Sequence, residues 1–232
     1  MISHQDNCLF VHIPKVAGQS IESVFLQQAN LTWEEREQLL LKPNSNPKKG
    51  PPRLAHLTAE EYMALGYLTP EAFSKLFKFT IVRNPWDRLV SEYLYKKHIY
   101  SFKDFIFKHF PEQGVDDYQN HNGLYRHVMP QYQFIYDKEG KCLVDYVGKF
   151  EALQKHFSVI SQKVFNQPLE LPHKNKTQHS SVIGRTVDKL KKSLDGTHNK
   201  KHYSSFYDDE TQAWVAEFYA KDIALFAYQF KS

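Results

Sequence analysis

The chain reads CLFVHIPKVAGQS over residues 8–20, and this stretch decides the fold class. Its first six residues are mainly apolar and end at Pro14, a pattern that predicts a short buried strand. Beyond the following loop, Ile21, Val24 and Phe25 fall at i, i+3 and i+4, which predicts an amphipathic helix. A strand that passes through a short loop into a helix is a building block of α/β proteins.

The loop of this unit has the composition of an anion site. Gly18 lets the backbone approach a ligand closely, and the free N–H groups at the start of the helix point toward it. Lys15, Gln19 and Ser20 add further donors. The same residues also suit a plain strand-to-helix turn with a surface lysine, because the G-x-x-x-x-G-K-[ST] spacing of nucleotide triphosphatases is absent.

A second strand, break and helix follow at residues 77–94. Residues 77–82 predict a buried strand, Asn84 and Pro85 break it, and a helix is expected to start near Trp86. The apolar face of that helix comprises Trp86, Leu89, Val90, Tyr93 and Leu94, whereas Asp87, Arg88 and Ser91 fall outside it.

Arg83 is expected at the carboxyl end of the second strand, the edge of an open parallel sheet at which ligands bind. Ser91 lies two helical turns further along, so a guanidinium and a hydroxyl are placed to hold one phosphate together. The alternative is that Arg83 forms an ordinary salt bridge and Ser91 is an ordinary helical serine.

Strand and helix patterns alternate along the rest of the chain. Capping boxes at Thr32 and Thr58 predict helices, the first running to about residue 41. Proline at 43, 47, 51 and 52 makes residues 42–53 a loop. Further predicted elements are helices at 101–110, 151–165 and around 214–219, a strand at 143–147, a loop at 111–127 and irregular chain at 171–205. This order predicts a single α/β domain over residues 1–232, with a parallel sheet and helices on both faces.

Charge and cysteine content narrow the classes of function. The formal net charge is +4, but residues 172–202 hold eight lysines and arginines against two aspartates, which suits an anionic cofactor or polymer, or a solvated surface. No nucleic-acid-binding signature accompanies this excess, so nucleic acid is not the expected partner. Two cysteines, no signal peptide and no apolar run long enough for a membrane helix predict a soluble cytoplasmic protein.

Together and in this order, the two anion-binding features resemble the nucleotide-binding pair of the PAPS-dependent sulfotransferases. The likeness is greatest to the carbohydrate sulfotransferase group, which contains heparan sulfate 2-O-sulfotransferase and the chondroitin sulfotransferases. The resemblance implies a P-loop NTPase-like three-layer fold and PAPS as the sulfuryl donor. Because a sulfuryl group carries less negative charge than a terminal phosphoryl group, no metal is expected. The resemblance also implies that Arg83 and Ser91 hold the 3′-phosphate and that the 5′-phosphosulfate is held by Lys15, Val16, Ala17, Gly18, Gln19 and Ser20. Gln19 departs from the family, in which a hydroxyl residue is common at this position.

Two later segments, residues 147–151 and 171–176, extend the resemblance. Lys174 and Lys176 in the second of them would approach the 3′-phosphate or an anionic acceptor, or else be exposed lysines. The resemblance also directs attention to His56, because related enzymes place a catalytic histidine between the two nucleotide motifs. A neutral imidazole there suits a general base. His198 and His202 are spaced for a metal only on a helix, which Gly196 makes doubtful, so no metal site is predicted.

The expected reaction is an in-line transfer of a sulfuryl group from PAPS to an acceptor hydroxyl, with a carbohydrate as the expected acceptor. His56 would take the hydroxyl proton and Lys15 would neutralise charge on the leaving phosphate. Two rival functions are an ATP-dependent kinase-like enzyme, which the absent Walker pattern disfavours, and a non-catalytic binder of anionic glycans.

Overall fold

The sheet of this protein is short and mostly parallel. A computed structural model describes residues 1–111, 124–172 and 202–231. Its strands are β1 (Ile2–Ser3), β2 (Cys8–Phe10), β3 (Phe77–Val82) and β4 (Tyr146–Lys149). They lie in the order β1-β2-β3-β4, with β1 antiparallel to β2 and the other two pairs parallel. The carboxyl ends of β2, β3 and β4 therefore meet at one edge of the sheet.

Helices follow each of the parallel strands and flank the sheet. In chain order they are α1 (Gly18–Gln28), α2 (Glu61–Ala64), α3 (Pro70–Lys75), α4 (Pro85–Lys96), α5 (Phe102–Lys108), α6 (Leu124–Val128), α7 (Leu153–Phe165), α8 (Asp209–Phe218) and α9 (Ala220–Phe226). The ring of Phe79 in β3 lies 6.1 Å from that of Phe25 in α1. Its neighbour Lys78 lies over Phe73 of α3. Lys78 and Phe79 are successive residues of β3, so their side chains point to opposite faces of the sheet. Helices therefore pack on both faces, which confirms the predicted α/β class.

The helix starts follow the capping signals of the sequence. Thr69 accepts a hydrogen bond from the N–H of Ala72 at 3.2 Å, with Pro70 in the first position of α3. Asn84 accepts from the N–H of Trp86 at 3.1 Å, which fixes the start of α4 directly after β3. These caps satisfy N–H groups that a helix leaves without internal partners.

Three predicted elements differ from the structure. Only half of the capping box at Thr32 forms: the Glu35 carboxylate accepts from the Thr32 N–H, but the Glu35 N–H donates to the backbone carbonyl of Thr32 and not to its side chain. A 3-10 turn (Arg36–Leu39) follows, and Leu40 ends it with left-handed backbone angles. The strand expected at 143–147 lies at Tyr146–Lys149 instead, where it pairs along β3 from Phe79 to Val82. The predicted loop at 111–127 gives way to α6 from Leu124 onward. Pairing and packing partners distant in sequence decided these boundaries.

The core lies between the sheet and its helices. Phe10, Phe25 and Phe79 are fully buried, and their rings stack across β2, β3 and α1. Burying such aromatic rings supplies much of the hydrophobic stabilisation of a domain of this size. In the part of the chain that the structure describes, every helix is too short or too polar to cross a membrane.

Candidate active site

The loop between β2 and α1 exposes backbone donors at the edge of the sheet. Lys15 and Ala17 both have left-handed backbone angles, with φ of 74° and 66°. Helix α1 starts at Gly18, and no side chain caps it. Among the described residues, nothing accepts a hydrogen bond from the N–H groups of residues 16–19. Successive N–H groups in such a curved backbone, at the positive end of a helix dipole, form an anion-binding concavity.

Gly18 is required by a neighbouring histidine. A Cβ added at Gly18 would lie 1.8 Å from Nε2 of His12, so the imidazole ring occupies the space beside the glycine. Nδ1 of His12 donates to the carboxylate of Glu22 at 2.6 Å, and both side chains are buried. From the sequence, Gly18 was expected to let a ligand approach the backbone closely; in the structure, its missing side chain makes room for His12.

Replacing Gly18 with alanine is therefore expected to lower the free energy of unfolding by about 1 to 3 kcal/mol, the usual cost of overpacking. The added methyl group must displace a ring that Glu22 holds in place. Urea denaturation measures the change. Combining Gly18→Ala with His12→Asn, which shortens the side chain but keeps a donor for Glu22, should cost less than the sum of the two single changes. Additive costs would contradict this explanation.

Arg83 joins the two predicted anion-binding turns. Its Nη1 donates to the carbonyl oxygen of Lys15 at 3.0 Å, while Nε and Nη2 donate to Asp87 at 2.9 and 2.8 Å. The guanidinium also lies over the ring of Phe150, 4.2 Å from its centre. A guanidinium has five N–H groups, so two remain for a ligand. Arg83, the residue predicted to bind phosphate, is thus held against the loop between β2 and α1.

Gln131 and Asp222 hold the backbone at Arg83, and the sequence analysis missed both. The side chain of Gln131 accepts from the N–H of Arg83 and donates to its carbonyl oxygen, each at 2.8 Å. Asp222 in turn accepts from the backbone N–H groups of Gln131 and Tyr132 at 2.7 and 2.8 Å. Burial raises the pKa of the Asp222 carboxyl to about 6. No sequence pattern reveals these contacts, because the partners lie 48 and 91 residues apart.

Arg88 is buried, although the sequence placed it on the polar side of α4. Its guanidinium donates to the carbonyl oxygens of Pro14, His127 and Met129 at 2.9 to 3.0 Å, which satisfies a buried charge. It therefore links α4 to Pro14, at the start of the loop between β2 and α1. Ser91, one turn further on, is partly buried on the same helix.

Lys15 projects from the loop over an aromatic ring. Its Nζ lies 3.8 Å from the centre of the Tyr95 ring, a cation–π contact. Partial burial lowers the pKa of the Lys15 ammonium to about 8, with Arg83, Lys96 and Arg88 adding to the effect and Glu92 opposing it. The ammonium is therefore mostly charged at neutral pH and loses its proton just above it.

His56 ends a 3-10 turn (Leu54–His56) and contacts the first motif. Its Nδ1 lies 3.0 Å from the carbonyl oxygen of His12, so Nδ1 carries the proton and donates. Nε2 is left as the proton-accepting nitrogen, and no hydrogen bond to it is made by the described residues. Burial, aided by His12 and His127, holds the pKa of His56 well below its ordinary value. The imidazole is neutral at physiological pH.

A second histidine, His127, lies beside His56 and was missed. The two rings are 5.5 Å apart and nearly perpendicular. Nδ1 of His127 lies 3.2 Å from both carboxylate oxygens of Glu92 in α4. The residue belongs to a stretch without periodicity, so nothing in the sequence distinguished it from the other histidines.

A cleft of about 710 Å³ opens at the carboxyl ends of β3 and β4. Asn84 and Asp87 line it on one side and Lys149, Tyr203 and Tyr228 on others. Lys174, Lys176 and His198 lie outside the described residues. His202 caps a 3-10 turn (Tyr203–Phe206) rather than lying on an α-helix.

A parallel sheet whose strands run into an N–H-lined loop and a loop-facing arginine defines an α/β protein of the P-loop type. The family model for the sulfotransferase family matches residues 1–229, so the chain belongs to the sulfotransferase family and is a transferase. The family predicted from the two motifs is thus confirmed. No curated protein and no solved structure matches the chain significantly.

Proposed function

We propose that this sulfotransferase moves the sulfuryl group of PAPS to an acceptor hydroxyl, with a carbohydrate as the expected acceptor and the cytoplasm as the expected compartment. The observation that carries the proposal is the convergence of three groups on one loop. Arg83 donates to the carbonyl of Lys15, and the ring of His12 lies between Gly18 and the ring of His56. The loop that we propose binds PAPS, the Arg83 guanidinium and the neutral imidazole of His56 are thus held close together.

The hydrogen-bond donors at the carboxyl ends of the strands suit an anion with two separate charged groups. The N–H groups of residues 16–19 and the Lys15 ammonium suit a phosphosulfate. Arg83 keeps two N–H donors for a second phosphate, and Ser91 is the hydroxyl that we expect beside it. Asp87, the carboxylate partner of Arg83, lines a cleft of about 710 Å³ that is large enough for a nucleoside, although the predicted site residues among those the structure describes do not line it. When bound, PAPS would supply an activated sulfuryl group with a phosphate as leaving group.

His56 is the proposed base. Its Nε2 accepts the proton of the acceptor hydroxyl, while the hydrogen bond from Nδ1 to the His12 carbonyl keeps the ring in the required tautomer. Lys15 balances the negative charge that grows on the leaving oxygen. The reaction is an in-line displacement in which the protein positions the groups and stabilises charge, and forms no covalent bond to the sulfuryl group.

The melting temperature, measured with and without nucleotides, tests whether PAPS is the sulfuryl donor. PAP, the desulfated product of PAPS, is expected to raise the melting temperature, whereas ATP with magnesium is expected to have little effect. Transfer of labelled sulfate from PAPS to a panel of oligosaccharides, phenols and lipids then identifies the acceptor. Stabilisation by ATP alone would favour a kinase-like enzyme. PAP binding without transfer to any acceptor would favour a non-catalytic binder.

Replacing Arg83 with alanine is expected to weaken PAP binding at least about tenfold and to raise KM for PAPS more than it lowers kcat. The change removes a charged hydrogen-bonding group, and such bonds contribute about 1.5 to 3 kcal/mol. Isothermal titration with PAP measures the loss of affinity. Arg36→Ala serves as a control, because the Arg36 side chain bonds to the Trp33 carbonyl and stacks over the Trp33 ring at the exposed surface. Equal PAP affinity in the Arg83 variant and the wild type would remove Arg83 from the donor site.

A further inference from the structure

We propose that His127, held by Glu92, acts through His56 as a proton relay and is the final holder of the proton that leaves the acceptor hydroxyl. This inference rests on the proposed function, in which His56 contacts that hydroxyl. The geometry behind it is a row of three histidines. The ring of His56 lies 4.6 Å from that of His12 on one side and 5.5 Å from that of His127 on the other.

His56 is well placed to accept a proton but poorly placed to keep it. Burial and the neighbouring His12 and His127 disfavour the charged ring, which is why its pKa lies well below its ordinary value. Its Nδ1 is already committed to the His12 carbonyl, so a proton gained at Nε2 makes a buried imidazolium with no carboxylate partner among the described residues. Such a species must pass its proton on.

His127 has the carboxylate that His56 lacks. Both oxygens of Glu92 lie 3.2 Å from its Nδ1, and the Glu92 side chain is only 3% exposed. Burial raises the pKa of Glu92, but the hydrogen bond and charge of His127 outweigh this effect and lower it, so the carboxylate is ionised. A histidine with Nδ1 held by a buried carboxylate presents Nε2 as a proton acceptor, and the carboxylate stabilises the resulting imidazolium.

Three neighbouring cations support the contact between His127 and Glu92. Arg88 donates to the backbone carbonyl of His127 and so fixes the position of the residue. Lys15 and Lys96 act on Glu92 as positive charges that favour its ionised form. The side chain of His127 is 19% exposed, compared with 7% for the whole of His56, so a proton on its ring has a route to solvent.

The bonds broken and formed in the proposed step, and the path of the proton, are as follows. The O–H bond of the acceptor breaks as its oxygen bonds to sulfur and the bond from sulfur to the leaving phosphate oxygen breaks. The proton goes to Nε2 of His56 and then to Nε2 of His127, directly or through one water. The His127 imidazolium is neutralised by Glu92 and releases its proton to solvent after the products leave. No metal ion or redox partner takes part.

The kinetic test is a double-mutant cycle with His56→Asn and His127→Asn. Asparagine at 127 keeps an N–H donor for Glu92 but offers no nitrogen that accepts a proton. We expect a fall in kcat of about 100-fold for His127→Asn, with KM for PAPS unchanged, and no further loss when His127→Asn is added to His56→Asn. Release of labelled sulfate from PAPS, with water as acceptor, gives the rate if no better acceptor is found. His98→Asn is the matched control.

A second measurement does not depend on activity. Nitrogen NMR of the imidazole rings in the nucleotide-free protein reports where each proton sits. The His127 ring is expected to carry its proton on Nδ1, facing Glu92, and Glu92→Gln should weaken this preference. A proton on Nε2 of His127 in the wild type, or a wild-type kcat in His127→Asn, would overturn the inference. A wild-type protein that neither binds PAP nor releases sulfate would instead overturn the proposed function, and the position of the His127 proton would still decide whether this ring can accept one at Nε2.

Discussion

Replacing His56 with alanine is expected to lower kcat by about 100- to 10,000-fold, the usual contribution of a general base. PAP binding should change little, because among the described residues His56 contacts the loop between β2 and α1 through His12. Rates of sulfuryl transfer or of sulfate release from PAPS measure the first effect, and isothermal titration with PAP measures the second. Full turnover in the variant would remove the assignment of His56 as base.

The exposed His109, changed to alanine, controls for loss of a histidine as such. Circular dichroism and urea denaturation establish that the His56 variant is folded. A variant that is folded, binds PAP and has lost turnover would separate a role in proton transfer from a role in packing.

The same residue makes stability depend on pH. Below about pH 6.5, the unfolded chain protonates His56, whereas the folded protein resists protonation because burial lowers the pKa of the ring. This contribution is therefore present above pH 6.5 and is lost as the pH falls. In urea titrations, His56→Asn should lose less stability between pH 7 and pH 5 than the wild type does.

Replacing Lys15 with alanine is expected to lower kcat/KM for PAPS by about 100- to 1,000-fold, the typical effect of removing one group that stabilises charge in the transition state. The backbone of the loop should persist, since Arg83 and Arg88 hold it through the carbonyl oxygens of Lys15 and Pro14. Steady-state kinetics with varied PAPS measure the change. An unaltered kcat/KM would show that the N–H groups of the loop suffice.

Lys15→Arg provides the matched control through its pH profile. Because the pKa of Lys15 is lowered to about 8, wild-type kcat/KM should decline above pH 8 as the ammonium loses its proton. Arginine stays charged throughout this range. If the variant retains activity, its decline above pH 8 should disappear. Persistence of the same decline would assign it to another group.

Much of the fold was predictable because its signals are local. The strand at residues 77–82 was predicted with the observed bounds, since a six-residue stretch with four apolar residues lies between a capped helix and the Asn84-Pro85 break. The strand predicted at 143–147 starts three residues too early. The position of β4 is set by its pairing with β3, and the residues of β4 themselves carry only a weak strand pattern. The helix predicted from Thr32 failed for a similar reason, as Leu40 ends the turn in a conformation that the local pattern does not encode.

The sequence by itself determined the family and the two turns, because strand-to-helix turns and their donors are written in contiguous residues. Only the tertiary structure decided how these parts act together. It turned Arg83 onto the carbonyl of Lys15, buried Arg88, and lined up His12, His56 and His127. Such contacts join residues 39 to 91 positions apart, and their geometry depends on how helices pack against the sheet, which no local pattern records.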